Sequence, residues 1–162
     1  MASDMFLKVD GVDGESEDSK QKNWIEILSW SWGESQSGSA GKGGGSGTGK
    51  VDMQDFAFSK FMDKATPKLM LFCASGKHIP TVEFLARKAG GEQEIYMKMK
   101  LTDVIVSSFS TSNSAGSGSL PVESISMNFS KIELEYLQQD AKGKTASAGK
   151  ANWSVKENKG GN

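Results

Sequence analysis

The residues whose spacing could support chemistry lie in a glycine-rich segment, GGSGTGK at positions 44–50. The segment fits the G-x-x-x-x-G-K pattern of phosphate-binding loops, but Val51 stands where that motif needs a Ser or Thr hydroxyl for magnesium. The motif also belongs between a strand and a helix, whereas the residues after Lys50 alternate as a strand does. Chance agreement is easy in so glycine-rich a run, so the sequence does not favour a nucleotide site.

The chain has one histidine, His78, and one cysteine, Cys73. Every zinc site or nucleophile–base pair that needs an imidazole would therefore depend on His78. A single cysteine excludes an intrachain disulfide and is typical of a chain made in a reducing cytoplasm. We expect Cys73 in the core, His78 beside a helix C-terminus, and Asp63 and Lys64 at an exposed helix start. The sequence thus predicts no catalytic residue, no metal site and no cofactor.

Length and charge narrow the classes of function further. We expect residues 1–162 to form a single domain. The 19 basic and 20 acidic side chains give a net charge of −1, so no basic excess indicates nucleic-acid binding. The longest apolar run, residues 69–74, is too short to span a bilayer, which argues against membrane insertion. The N-terminus lacks the basic and apolar regions of a signal peptide, so we expect synthesis in the cytoplasm.

One segment, about residues 66–75, reads clearly as a helix. Thr66 is the predicted N-cap, Pro67 suits the first helical position, and Gly76 suits the left-handed position after the last turn. Apolar residues at positions 69, 70, 72 and 73 form a stripe that must pack against something, because so short a helix is marginal in water.

Nearly everything else reads as strand or turn. Strands are predicted over residues 5–9, 24–36, 51–61, 79–88, 94–109, 122–137 and 152–156, with phase slips near residues 54–55, 103 and 130–131. Long strands with slips suit a curved or closed antiparallel sheet, so we predict a small β-barrel with the helix packed on it. We expect residues 38–50 to form a mobile loop and residues 138–151 to be polar and flexible.

The strand at residues 24–36 has two contrasting faces. Its core face is predicted to comprise Trp24, Leu28, Trp30 and Trp32. The opposite face becomes small and polar, and residues 122–130 repeat this pattern. The residues concerned are Ser29, Ser31, Ser124, Ser126, Asn128 and Ser130. An ordinary solvated face would carry more charge, so this one is either a low-charge exterior or a surface that lines a shared cavity or meets neighbouring subunits.

Four stretches, in this order, resemble the Hcp family, the haemolysin-coregulated proteins of bacterial type VI secretion. They are MFLKVDGVDGES, WIEILSWSWGESQSGS, DFAFSKFMDKATPKLMLFCASGKHIP and KAGG before a long strand. The resemblance extends from Met5 to about Trp153. It implies a small β-barrel with one helix, similar to phage tail-tube proteins, in homohexameric rings that stack into an expelled tube. It also implies effectors held in the lumen, spike and sheath proteins as partners, and no enzymatic activity.

The resemblance also suggests roles for particular residues. The expected lumen-facing or effector-contacting residues are Ser29, Ser31, Lys98, Lys100, Ser126 and Asn128. The expected contacts between rings or neighbouring subunits come from the glycine-rich loop at Gly38, Lys42, Gly44, Gly47 and Lys50. Only a short polar tail follows Trp153, flexible after about residue 157, so we do not expect the C-terminal toxin domain that some members of the family carry.

Two other classes stay open on the residues alone. One is a monomeric β-sandwich that binds carbohydrate or another ligand, and it predicts a solvent-exposed Trp30 or Trp32. The other is an enzyme, which is disfavoured because every base–nucleophile pair would require His78.

Overall fold

The chain folds into antiparallel strands with one helix, in a computed structural model that describes residues 3–37 and 50–162. The elements of these ranges are β1 (Ser3–Val9), β2 (Ile25–Glu26), β3 (Ser29–Ser31), β4 (Glu34–Gln36), β5 (Val51–Met53), β6 (Phe56–Phe61), α1 (Thr66–Ser75), β7 (Ile79–Lys88), β8 (Ile95–Ser112), β9 (Val122–Gln139), β10 (Thr145–Ser154) and β11 (Lys159–Gly161).

The main sheet curls around the core. Its order is β11-β10-β9-β8-β7-β1-β2, while β6 pairs with the first part of β9 and β3 pairs with β6. The segment from β2 to β3 joins the two ends. Ile25 lies opposite Leu7 of β1, and Trp30 lies opposite Phe58 of β6. The predicted β-structure is confirmed. Strands β1 and β6 are linked by the segment from β2 to β3, which we call the crossing segment, and not by a continuous ladder of their own.

This crossing corrects the predicted core face of residues 24–32. Ile25 and Ile27 are buried and Leu28 is exposed, the reverse of the expected alternation. The reason is the change of partner, since the Ile27 N–H donates to Met5 (3.0 Å) and the Leu28 N–H to Ser59 (2.8 Å). Leu28 and Ser29 are both exposed, so the strand changes face between residues 28 and 29. Beyond that point the prediction holds, because Trp30 and Trp32 pack against the core.

The helix has the predicted bounds, and Gly76 adopts the left-handed conformation with φ of 66°. Leu69 and Phe72 bury its inner face. The predicted N-cap is wrong, because Thr66 is the first helical residue and Ala65 precedes it. The N–H of Ala65 donates to the Asp63 carboxylate at 2.9 Å, and the Thr66 hydroxyl accepts from the N–H of Asp63 at 3.1 Å.

The phase slips also lie where the sequence places them. β5 ends at Met53 and β6 begins at Phe56. On β8 the buried positions pass from Leu101 to Val104, and the facing residues of β9, Ile132 and Phe129, have the same spacing. Both strands thus change face together, which bends the sheet without breaking the ladder.

One loop prediction is wrong. Residues 138–151 were expected to be polar and flexible, but Thr145–Ser154 forms β10 along β9. Its side chains up to position 151 are mostly exposed on both faces. No apolar alternation therefore marks the strand, and its backbone ladder holds it in place.

Candidate functional site

The described residues show no catalytic constellation. No group of three or more His, Cys, Asp and Glu side chains that could hold a metal ion occurs in residues 3–37 and 50–162. His78 is exposed and its Nδ1 lies 2.7 Å from Asp103, while Cys73 is a half-buried free thiol packed against the core. Within these ranges no helix is long and apolar enough to cross a membrane.

The most distinctive surface is built from serines on four neighbouring strands, β3, β6, β9 and β8. Two rows of directly opposed residues cross these strands in that order: Ser29, Ser59, Ser124 and Ser110, and then Ser31, Ala57, Ser126 and Ser108. We call these eight residues the serine face. They line a shallow depression of about 320 Å³.

The serine face lies directly over the core. Between its two rows runs a third row whose side chains point to the other side of the sheet, as strand alternation requires. This inner row is Trp30, Phe58, Ile125 and Phe109. Phe58 and Ile125 are buried, so the residues of the serine face lie directly over packed apolar side chains.

Hydroxyl groups of the serine face are tied to one another. Ser29 and Ser59 share a hydrogen bond of 2.5 Å between their Oγ atoms. Ser126 bonds to Ser107, whose hydroxyl donates to Asp55 at 2.5 Å. Asn128 donates from Nδ2 to the other oxygen of Asp55 at 3.0 Å. The serine face is therefore polar and made of small side chains, and the Asp55 carboxylate beside it already accepts from two donors.

Four of the six predicted lumen residues are therefore brought together. Ser29, Ser31 and Ser126 belong to the serine face, and Asn128 lies beside it through Asp55. Lys98 and Lys100 do not join them. Lys100 is eight residues before Ser108 along β8, about 25 Å at ordinary strand rise.

The two lysines belong to a different, charged surface. Lys100 lies between Glu83 of β7 and Glu133 of β9, and the row continues to Lys8 of β1. In the next row, Lys98 is opposite Glu135 of β9. Opposite charges directly across strands support the sheet, so this surface has an adequate structural role.

The predicted contact loop lies almost wholly outside the described residues. Gly38, Lys42, Gly44 and Gly47 lie outside the described residues, whereas Lys50 is described and exposed. The loop joins β4 to β5, which pair with each other as a separate two-stranded sheet.

Sequence reasoning missed a buried ionic network at the start of α1. Lys60 and Glu123, both 0% exposed, face each other across β6 and β9 with Nζ and Oε2 at 2.8 Å. Lys60 also donates to Asp63 (2.7 Å) and to the Thr66 hydroxyl (3.1 Å), which donates to Glu123 at 2.9 Å. The sequence contained a sign of this burial, since Lys60 lies two residues after Phe58 and so shares the inward face of Phe56 and Phe58.

A second buried cation anchors the loop after β1. Arg87, 2% exposed, donates to both carboxylate oxygens of Asp18 and, at 2.6 Å, to Gln21. Its guanidinium lies 4.7 Å from the centre of the Phe6 ring. The hydrogen bond from Arg87, helped by the N–H groups of Lys20 and Gln21, lowers the pKa of Asp18 well below its usual range.

Comparison with known proteins gives this fold and surface a class. Residues 6–136 match the family described as "Type VI secretion system effector, Hcp". Protein hcp1 of Pseudomonas aeruginosa is 49% identical over 160 residues, 98% of each chain.

Solved structures agree with these matches. A structure described as that of a type six secretion system protein has a TM-score of 0.91 at 35% identity, covering 98% of this chain and 99% of the other. Hcp1 from Salmonella typhimurium has a TM-score of 0.78 at 38% identity, covering 99% of both chains. An effector of the same system from Yersinia pestis has a TM-score of 0.73 at 36% identity, covering 93% and 99%.

The fold and these matches define a structural protein of the type VI secretion tube. The chain belongs to the Hcp family, whose members form hexameric rings and are not enzymes. The predicted family, fold class and absence of catalysis are confirmed. Nothing supports the carbohydrate-binding alternative, and the exposed tryptophan that it predicts is not seen at Trp30, which packs against Phe56 and Phe84.

Proposed function

We propose that the chain forms homohexameric rings that stack into the inner tube and that the serine face lines the lumen. The observation that carries this proposal is the pair of cross-strand rows, in which seven serines and one alanine cover four adjacent strands. A wall of small polar residues leaves space for a guest chain. It offers hydroxyl donors and acceptors without a strong charge that would hold the guest irreversibly.

This proposal assigns fewer of the six predicted residues to the lumen than the sequence suggested. The lumen contains Ser29, Ser31, Ser126 and Asn128. Lys98 and Lys100 stay candidates for its rim, because they lie farther along the outward side of β8. Secreted effectors are the proposed guests, and spike and sheath proteins are the proposed neighbours of the assembled tube. We also propose synthesis in the cytoplasm, followed by export through the type VI system.

A bulky charge in the serine face tests this proposal. We expect Ser31→Arg to reduce co-purified effector by about tenfold, roughly 1.4 kcal/mol, because the side chain fills the depression and buries an unpaired cation against the guest. The assembly should keep its mass, since Ser31 is exposed. The measurement is quantitative mass spectrometry of effector bound to affinity-purified protein.

The matched control for this experiment is Ser147→Arg. Ser147 is exposed on β10 and lies away from the serine face. It should retain effector at the level of the unmodified protein. Equal retention by the two arginine variants would refute a guest-binding role for the serine face.

We propose that residues 38–50 make contacts between stacked rings or neighbouring subunits. The support is their position at the end of the separate β4–β5 hairpin, where neither strand pairs with the main sheet. Removing residues 41–47 should leave folded rings that form few stacks in electron micrographs. Stacks of undiminished length would show that the loop is not needed there.

A further inference from the structure

One carboxylate lies at the edge of the serine face. Asp55 directly precedes β6, and its side chain is partly exposed. The serine face itself consists of seven serines and one alanine, so none of its residues carries a charge. Within residues 3–37 and 50–162, no ion pair includes Asp55. In the described part of the chain, this carboxylate is therefore a negative charge without a paired cation on an otherwise neutral surface.

A bulge in β8 brings an additional serine to this carboxylate. The register of β8 against β9 shifts between Val106 and Ser108, and Ser107 is the extra residue. Ser107 and Ser108 are consecutive and both exposed, whereas regular alternation would turn one of them toward the core. Bulges often re-aim a side chain in this way. Here the re-aimed Ser107 hydroxyl donates to Asp55 at 2.5 Å.

The hydroxyl groups beside Asp55 must all donate in one direction. A serine hydroxyl has a single hydrogen, and a carboxylate can only accept. Ser107 gives its hydrogen to Asp55, so Ser126 must be the donor in its 2.8 Å bond to Ser107. Ser126 then has no hydrogen left, so Ser108 must be the donor in the bond between Ser108 and Ser126. We call these three serines the hydroxyl relay, since every hydrogen in it points toward the carboxylate.

The direction of the relay decides what this surface offers to a guest. Because their hydrogens are already used, the relay oxygens present lone pairs to solvent and act as acceptors. A hydroxyl that donates also becomes a better acceptor, because hydrogen bonds in a chain polarise one another. A carboxylate has about four acceptor sites, and Ser107 and Asn128 use two of those on Asp55. This end of the serine face therefore favours groups that combine several donors with a positive charge.

We propose that Asp55 and the hydroxyl relay form a binding site for arginine and lysine side chains of the guest. This inference rests on the serine face lining the lumen, as proposed above, and it names the class of guest, a polypeptide with a basic segment. The guanidinium or ammonium group donates to Asp55 and to the nearest relay hydroxyl, as in other charge-assisted hydrogen bonds. An acidic segment would meet only acceptors and a like charge, so the same site rejects it.

Repetition around the ring strengthens this selection. Four strands from each of six subunits, spaced by about 4.8 Å, give a wall about 115 Å around. Neighbouring copies of Asp55 are then about 19 Å apart, well beyond the Debye length of about 8 Å in physiological salt. Each carboxylate therefore acts as a separate site. A guest with several basic side chains engages several of these sites at once, which raises its overall affinity.

Peptide titrations of the assembled protein test the site. The probes are two fluorescein-labelled peptides of equal length, one alternating arginine with serine and the other alternating glutamate with serine. Binding is measured by fluorescence anisotropy at about 150 mM salt, so that only charges close to the peptide contribute. Asp55→Asn removes the charge and keeps the size of the side chain, so it should weaken binding of the arginine peptide about tenfold. The glutamate peptide should not bind the unmodified protein.

Two further variants make the test specific. Asp13→Asn removes the same charge from an exposed residue of the loop after β1, and it should bind the arginine peptide as the unmodified protein does. Ser107→Ala keeps the carboxylate and breaks the relay, so it should weaken binding about threefold. If Asp55→Asn loses its assembled mass in light scattering, Ser107→Ala takes its place in the comparison with Asp13→Asn.

The outcomes separate this site from the lumen itself. Equal binding of the arginine peptide by Asp55→Asn and Asp13→Asn would overturn the inference. A glutamate peptide that binds as tightly as the arginine peptide would also overturn it, and so would the absence of binding by either peptide. The lumen proposal has its own test, because loss of effector from Ser31→Arg but not from Ser147→Arg supports it whatever the peptides do.

Discussion

Replacing Lys60 by methionine should lower the free energy of unfolding by about 3–5 kcal/mol, the usual cost of removing one member of a buried ion pair. The Lys60 side chain is 0% exposed, and its ammonium group forms ion pairs with both Glu123 and Asp63. Without it, two carboxylates face each other at the start of α1, and Glu123 already has one buried oxygen with no partner in the described residues. Urea unfolding at fixed protein concentration measures the change.

Two further variants make this prediction specific. Lys64→Met removes an exposed lysine from the same turn and should change the unfolding free energy by less than about 0.5 kcal/mol. Lys60→Met combined with Glu123→Leu should recover much of the loss, because an apolar pair can replace a buried ion pair at little cost. If the double variant is no more stable than Lys60→Met alone, the buried charge of Glu123 is not the cause.

Acid should release the loop that Arg87 holds. Since Asp18 has a lowered pKa in the folded chain, its contribution to stability is complete above its ordinary value of 3.8 and is lost as the pH falls below it. Arg87→Leu removes charge-assisted hydrogen bonds and should cost about 2–3 kcal/mol at neutral pH. The difference in unfolding free energy between Arg87→Leu and the unmodified chain should narrow between about pH 4 and pH 2.

Urea unfolding at several pH values measures this gap. The control is Lys8→Leu, which removes an exposed cation from the neighbouring strand β1 and should show no comparable narrowing. A gap between Arg87→Leu and the unmodified chain that is constant from pH 6 to pH 2 would show that the Asp18 carboxylate does not carry the effect.

The helix shows how far local signals reach. Pro67 and Gly76 fix its ends through backbone geometry, which depends only on neighbouring residues, and both bounds were predictable. The role of Thr66 was not predictable. Its hydroxyl donates to Glu123, a residue 57 positions away, and only the folded chain brings the two together.

The crossing segment shows the limit of strand periodicity. Alternation assumes one sheet and one partner strand, but residues 25–31 pair first with β1 and then with β6. The alternation shifts only after Leu28, so Leu28 was predicted in the core and lies on the surface. No local residue signals this change, because its cause is the change of partner strand from β1 to β6.

The candidate site was predictable in type and only partly in extent. Small polar side chains on alternate positions identified Ser29, Ser31 and Ser126 from single strands. Their alignment with Ser59 and Ser108 depends on the register of four strands, which the sequence does not state. The assignment of Lys98 and Lys100 to the same surface ignored the length of β8, whose 18 residues pass two distinct surfaces.

The mass of the purified chain in solution tests the central claim most directly. Size-exclusion chromatography with multi-angle light scattering should give six times the 17.4 kDa chain mass, as a closed ring requires. The ring should persist across dilution in the micromolar range. A particle of 17.4 kDa under the same conditions would contradict the claim.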